Sequence, residues 1–169
     1  IQDPQGRFSE YGPKKWNLAA TAFSVKFVGE ALRILKTGPP IDRGIYERSL
    51  EACRKAIEIV LTDDDFWKHG LSYSNQFTNV FAGAPAFFEV RPDAALYKRL
   101  VRRIEESSTA FQSPCGYFYE ADGPDFGYNL GTHHTNIHMA WHYFRKRPEA
   151  EIFVRQQELF CDWLAYNAW

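Results

Sequence analysis

The stretch CGYFYEADGPDFGYNLGTHHTNIHMAWH, residues 115–142, decides how the rest of the chain is read. It starts as an aromatic, acidic, glycine-marked segment without helical spacing and ends as a helix opened by His133 and His134. An irregular connection of about twenty residues is uncommon in a compact domain, where about 4–6 is the median, and such connections are usually functional or disordered. Phe118, Tyr119, Phe126 and Tyr128 argue against disorder. The stretch therefore reads as a site carried on a rigid frame.

Outward from it the chain reads as amphipathic helix in both directions. Upstream, 92–109 sets Tyr97, Leu100, Val101 and Ile104 inward against a basic outer face. Residues 14–36 form an apolar stripe through Leu18, Ala22, Phe23, Phe27, Ala31 and Leu35, closed by Gly38-Pro39-Pro40. Residues 42–61 alternate Tyr46, Leu50, Cys53 and Ile57 with a charged face, and Asp63-Asp64-Asp65 reads as a break followed by an N-cap rather than a metal site. The segment 73–89 differs in kind: beside Phe77, Val80, Phe81, Ala84 and Phe88 its polar residues are Asn75, Gln76, Thr78 and Asn79, all uncharged. Amides there suit a helix lining a wet cavity, and Pro85 predicts a kink or interruption. Downstream, 132–145 and a helix after Pro148 complete three antiparallel pairs. The expectation is an all-α chain of helical hairpins, inner and outer members alternating, as an incomplete toroid. The only strand candidate is 116–120, and no repeat of fixed period stands out, which argues against the short-repeat solenoids.

Composition bounds the function classes. A net charge of −1 and pI near 6.6 recruit neither nucleic acid nor an anionic membrane. No apolar run is long enough to span a bilayer. Three cysteines, Cys53, Cys115 and Cys161, form no CxxC pair and leave the redox compartment open. Aromatics make up 17% of the chain, suiting a core and also a sugar-stacking surface. No signal peptide is visible, and Ile1 at the start with Trp169 closing an aromatic helical pattern suggests a processed protein or, more in keeping with that ending, a single domain over 1–169 that is a piece of a larger protein.

Several constellations carry chemistry. His134, His138 and His142 fall within about 80° on one helix edge, a zinc-compatible spacing, but neither HExxH nor a cysteine pair accompanies them. His133 and His134 open the helix, where the positive helix end favours a neutral imidazole and keeps a base available. Tyr128 lies between glycines in GYNLG, six residues before His134. Glu120, Asp122 and Asp125 offer a rival pair of carboxylates for glycoside hydrolysis, although Asp122-Gly123-Pro124-Asp125 also suits a plain turn.

SYSNQF at 72–77 and DGPDFGYNLGTHHTN at 122–136 resemble the Asn/Gln element and the Tyr/His element of the (α/α) toroid uronate polysaccharide lyases, the heparinase II/III-like, alginate and hyaluronate/chondroitin groups. The resemblance is specific in those two stretches and loose elsewhere. It implies β-elimination on an acidic polysaccharide or oligosaccharide, without cofactor or metal, in a secreted or periplasmic setting. Asn75, with Gln76, would neutralise the uronate carboxylate; His133 or His134 would be base or charge stabiliser; Tyr128 would be acid and also base. Donors aimed at developing charge contribute about 3 kcal/mol each in such sites. Tyr73, Trp67 and Tyr119 would stack on sugar faces, and Asp125 would contact substrate. Enzymes of this type carry more helix pairs, several with a β-sandwich, so the resemblance also implies a missing domain or partner chain completing the cleft. The nearest arginine to the amide helix is Arg91. The alternatives are a hydrolase on the same frame, using Glu120, Asp122 or Asp125, and a non-catalytic helical binding or scaffold domain.

Overall fold

The computed structural model describes residues 2–121 and 123–167, and among them it is all-helical with no strand. In order come α1 (Leu18–Leu35), α2 (Arg43–Thr62), α3 (Asp64–Ser72), α4 (Ser74–Phe77), α5 (Asn79–Val90), α6 (Ala94–Ala110), α7 (Phe126–Tyr128), a π-helical turn (Asn129–His133), α8 (His134–Phe144) and α9 (Ala150–Asn167). Among these residues no helix is long and apolar enough to cross a membrane.

Short polar side chains start the helices by accepting from first-turn N–H groups, which otherwise lack partners. Asn17 caps α1, Asp42 caps α2, Asp93 caps α6, and Asp63 accepts from Asp65 and Phe66 at 2.9 Å to cap α3. The break and cap expected at the Asp63 run are both there.

Two layers result. The inner row is α1, α5 and α8, with α5 packed against both others; the outer row is α2, α6 and α9. α5 is buried from Asn79 to Phe87, so it has no solvent face and needs no charged residue there. Its contact with α1 is very close: a Cβ on Gly83 would stand 2.4 Å from the Lys26 Cα and 2.5 Å from the Val25 carbonyl oxygen. Only glycine permits that approach. Outside, Arg91 pairs with Glu47 at 2.6 Å and ties the end of α5 to α2, away from the inner row.

Two expectations need correction. The amide helix breaks at Thr78 rather than at Pro85, which α5 carries inside it. At the break the Asn75 carbonyl accepts from Thr78 Oγ1 and Asn79 Nδ2, side-chain bonds that compete with the helical ladder. The strand candidate 116–120 contributes a single bridge, Gln112 to Phe118.

That bridge exposes a duplication. Gln2-Asp3-Pro4-Gln5-Gly6-Arg7-Phe8 and Gln112-Ser113-Pro114-Cys115-Gly116-Tyr117-Phe118 share Gln, Pro, Gly and Phe at the same steps, followed by Glu10 and Glu120, a Gly-Pro pair, and Asn-Leu at 17–18 and 129–130. The second copy has one extra residue on each side of its Gly-Pro pair. Their hydrogen bonds match. Gln2 Nε2 donates to the Gly6 and Ala52 carbonyls at 2.9 and 2.8 Å, and Gln112 Nε2 to those of Gly116 and Gln156 at 2.7 and 2.8 Å. Gly6 and Gly116 both have positive φ and press onto an outer helix, at Lys55 and Leu159, each three residues beyond the carbonyl the glutamine holds. α1–α2 and α8–α9 are thus two copies of one unit, with α3–α6 between them.

Candidate functional site

The two stretches singled out in the sequence meet where α4, the π-helical turn and the loop before α7 come together. Ser74 Oγ–H donates to the Tyr119 carbonyl at 2.7 Å and lies 2.5 Å from His133 Nε2. A hydroxyl has one proton, and the carbonyl takes it, so His133 donates from Nε2 and its Nδ1 is bare. That nitrogen is buried without a partner. The ring is fully buried and stacked on Phe118, centroids 4.1 Å apart, and burial pushes its pKa down to about 3. His133 is therefore neutral but too weak a base for chemistry near neutrality, and Ser74, its proton directed elsewhere, is no activated nucleophile. The pair pins the turn to α4.

Next to it lies a chain of amides. Lys26, 8% exposed, donates from Nζ to Asn136 Oδ1 at 2.8 Å, and burial lowers the pKa of this lysine. Asn136 Nδ2 donates to Thr78 Oγ1 at 3.1 Å and to the Asn75 carbonyl at 3.3 Å. Asn75, Thr78 and Asn79 are thereby buried in a hydrogen-bonded network. This corrects the expectation that the amide row lines a wet cavity: Asn75, Thr78 and Asn79 pair with one another and with Asn136 instead. Asn75 Oδ1 is buried and unpartnered, and its amide nitrogen makes no hydrogen bond among the described residues.

Glu120 completes the junction. It is 9% exposed, its Oε1 is buried without a partner among the described residues, and its pKa is pushed up to about 7. Burial is the main cause, the charge of Asp125 adds to it, and the main-chain N–H of Asn75 works against it. A carboxyl in this range both holds and releases a proton near neutral pH. Asp125 Oδ1 accepts from the Tyr128 N–H at 2.9 Å, which sets α7 beside this loop. Tyr128 is exposed.

The other expected residues are elsewhere or otherwise engaged. His134 is exposed, turned away from His133, and lines a groove between α8 and α9 with His138, Trp141 and Cys161. It does not join His133. Trp67 packs against Phe77 and Phe111, with the Arg103 guanidinium 4.3 Å over its ring, so its faces are covered. Tyr73 stacks on His69 at 4.7 Å, and Gln76 Oε1 lies 3.1 Å from His69 Nε2, making a half-exposed rim on α3–α4. Tyr119, half-buried, meets Tyr117 edge to face. Asp122 lies outside the described residues. Among those described, no three metal-ligating side chains come together, and the three cysteines are free.

Lys26, Ser74, Asn129 and Asn136 belong to the junction and were not singled out beforehand. Lys26 had a signal: it sits four residues after Ala22 and three before Gly29, on the apolar stripe of α1. Asn136 likewise interrupts the face carrying Ile137 and Ala140.

The fold and site define an all-helical chain with a duplicated hairpin unit and a buried polar junction at which an amide, a phenol-bearing turn and a carboxyl of raised pKa meet. No family model, no curated protein and no solved structure matches it.

Proposed function

We propose that the protein is a polysaccharide lyase that cleaves a uronic-acid-containing glycan by β-elimination, built on an (α/α) toroid or a part of one. One observation carries the proposal: the amide stretch and the tyrosine–histidine stretch, far apart in sequence, are joined directly through Ser74 to His133 at 2.5 Å and Asn75 to Asn136 at 3.3 Å. The alternation of inner α1, α5 and α8 with outer α2, α6 and α9 supports the toroid.

A proton α to a carboxylate is weakly acidic until the carboxylate's charge is relieved. Asn75, whose amide nitrogen is uncommitted, relieves it. Tyr128, exposed in the turn that Asp125 caps, takes the C5 proton. His133 holds the geometry and takes no proton; His134, on another face, takes no part. The partner is an acidic polysaccharide or oligosaccharide, a further domain or partner chain closes the cleft, and the setting is secreted or periplasmic.

Incubating the protein with a panel of uronate polymers should raise the ultraviolet absorbance of the unsaturated product, and Tyr128→Phe should abolish the rise while leaving the fold intact. No rise on any polymer refutes the proposal. The raised pKa of Glu120 favours glycoside hydrolysis as the second reading, which predicts new reducing ends with no ultraviolet change.

A further inference from the structure

Glu10 and Glu120 occupy the same place in the two copies of the duplicated unit, two residues after the shared phenylalanine. Their treatment differs. In the first copy, Asn17 Nδ2 donates to Glu10 Oε2 at 2.6 Å and occupies its carboxylate. In the second, the equivalent amide, Asn129, is turned to the main chain: Oδ1 accepts from Phe118 N at 2.8 Å, while Nδ2 donates to the Phe118 and Asp125 carbonyls at 3.2 and 2.9 Å. Glu120 loses its clamp and is left buried, one oxygen without a partner, at the point where the loop meets α4. Burying a carboxyl without a partner is unfavourable. The sister copy contains the remedy, so its absence here, at the one copy that adjoins Asn75, marks a functional position.

We infer that Glu120 is the acid of the site, delivering its proton to the glycosidic oxygen as the sugar chain leaves. This rests on the lyase proposal and assigns the half-reaction left open there. In the step, the C5–H bond breaks as Tyr128, in its phenolate form, takes the proton, and its electron pair becomes the second bond between C4 and C5. The C4–O bond breaks with its pair on oxygen, and that oxygen receives the Glu120 proton. Solvent then reprotonates Glu120, and Tyr128 returns its proton to solvent.

The surroundings fit an acid rather than an ion. Among the described residues Asp125 is the one charged group acting on Glu120, and it favours the protonated form. α4 offers only the Asn75 N–H, and the nearby His133 is neutral. With a pKa pushed up to about 7, the proton is present below that value and lost above it. An acid is therefore available on the low-pH side.

The test compares two substrates, a uronate oligosaccharide and a uronate carrying fluoride at C4, a group that leaves without being protonated. Glu120→Gln should lower kcat/KM on the oligosaccharide by about 100-fold or more, in the range for removing a general acid, and leave turnover of the fluoride within a few-fold. The ratio of wild-type kcat/KM on the oligosaccharide to that on the fluoride should fall as pH rises through about 7, because only the oligosaccharide needs the Glu120 proton. Turnover of the fluoride by the variant also shows that it is folded. Equal loss on both substrates, or on neither, overturns the assignment of Glu120 while leaving the lyase proposal standing. Absence of any unsaturated product from wild-type protein overturns both.

Discussion

Replacing Asn136 with alanine should destabilise the protein far more than removal of one neutral hydrogen bond would. Asn136 holds Lys26 at 2.8 Å, and it is the only hydrogen-bond partner the lysine has among the described residues. A charge-assisted bond of this kind contributes about 1.5–3 kcal/mol. Alanine also leaves the ammonium buried and unpaired, and breaking such a buried arrangement by removing one member costs about 3–5 kcal/mol. The Asn75 carbonyl keeps Thr78 Oγ1 and Asn79 Nδ2 as donors, so little is added from that side. The expected loss is about 3–4 kcal/mol. Lys26→Met with Asn136→Leu removes both the charge and its acceptor and should recover most of that loss, to within about 1–2 kcal/mol of wild type. Urea denaturation followed by circular dichroism measures all of these variants. Because burial lowers the folded-state pKa of Lys26, the unfolded chain binds the proton more tightly, so the lysine's contribution to stability improves as pH rises towards its unfolded pKa of about 10.4. Asn136→Ala should steepen that dependence. A loss below about 1 kcal/mol in Asn136→Ala, or a double variant as unstable as the single one, would refute this account of the junction.

Three further outcomes follow from the same geometry. Gly116→Ala places a Cβ 2.1 Å from the Leu159 carbonyl oxygen at a φ of +110°, and should lower stability by at least about 2 kcal/mol in thermal denaturation; Gly6→Ala, pressed on Lys55, should behave alike if the two copies are equivalent. His133, neutral in the fold with a pKa pushed to about 3, is protonated more readily when unfolded, so its stabilisation is complete above about pH 6.5 and lost as pH falls towards 3. Acid titration of the unfolding free energy should show this uptake of about one proton, and His133→Gln should remove it. Gln112→Ala cuts one bond inside the second hairpin, to Gly116, and one that fastens it to α9, at Gln156, for about 1–3 kcal/mol by the same denaturation measurement.

Much of the frame was legible in the residues because local rules decide it. Asp42 and Asp63 each begin the helix their chemistry predicts, and the apolar stripes of α2 and α6 turn inward as their spacing requires. The misreadings have a common physical origin. Uncharged polar residues look alike in sequence whether they face water or one another, so Asn75, Thr78 and Asn79 suggested a wet cavity and form a buried network with Asn136 instead. The break at Thr78 depends on side-chain bonds to the Asn75 carbonyl, which helical periodicity does not register. The duplication escaped notice because its copies stand 110 positions apart with two inserted residues in the second, and because the hydrogen bonds that define it run from Gln2 and Gln112 to distant helices. His134 was grouped with His133 as its neighbour, yet adjacent residues on a helix point about 100° apart, and one is sealed under Phe118 while the other is exposed.

The central claim, that the junction around Asn75, Glu120 and Tyr128 eliminates across a uronate linkage, is tested most directly by the mass of the products from one defined uronate oligosaccharide. The account predicts two fragments whose masses sum to that of the intact chain, one carrying the double bond. Fragments that together exceed the substrate by one water, or an uncut chain after incubation with folded protein, would contradict it.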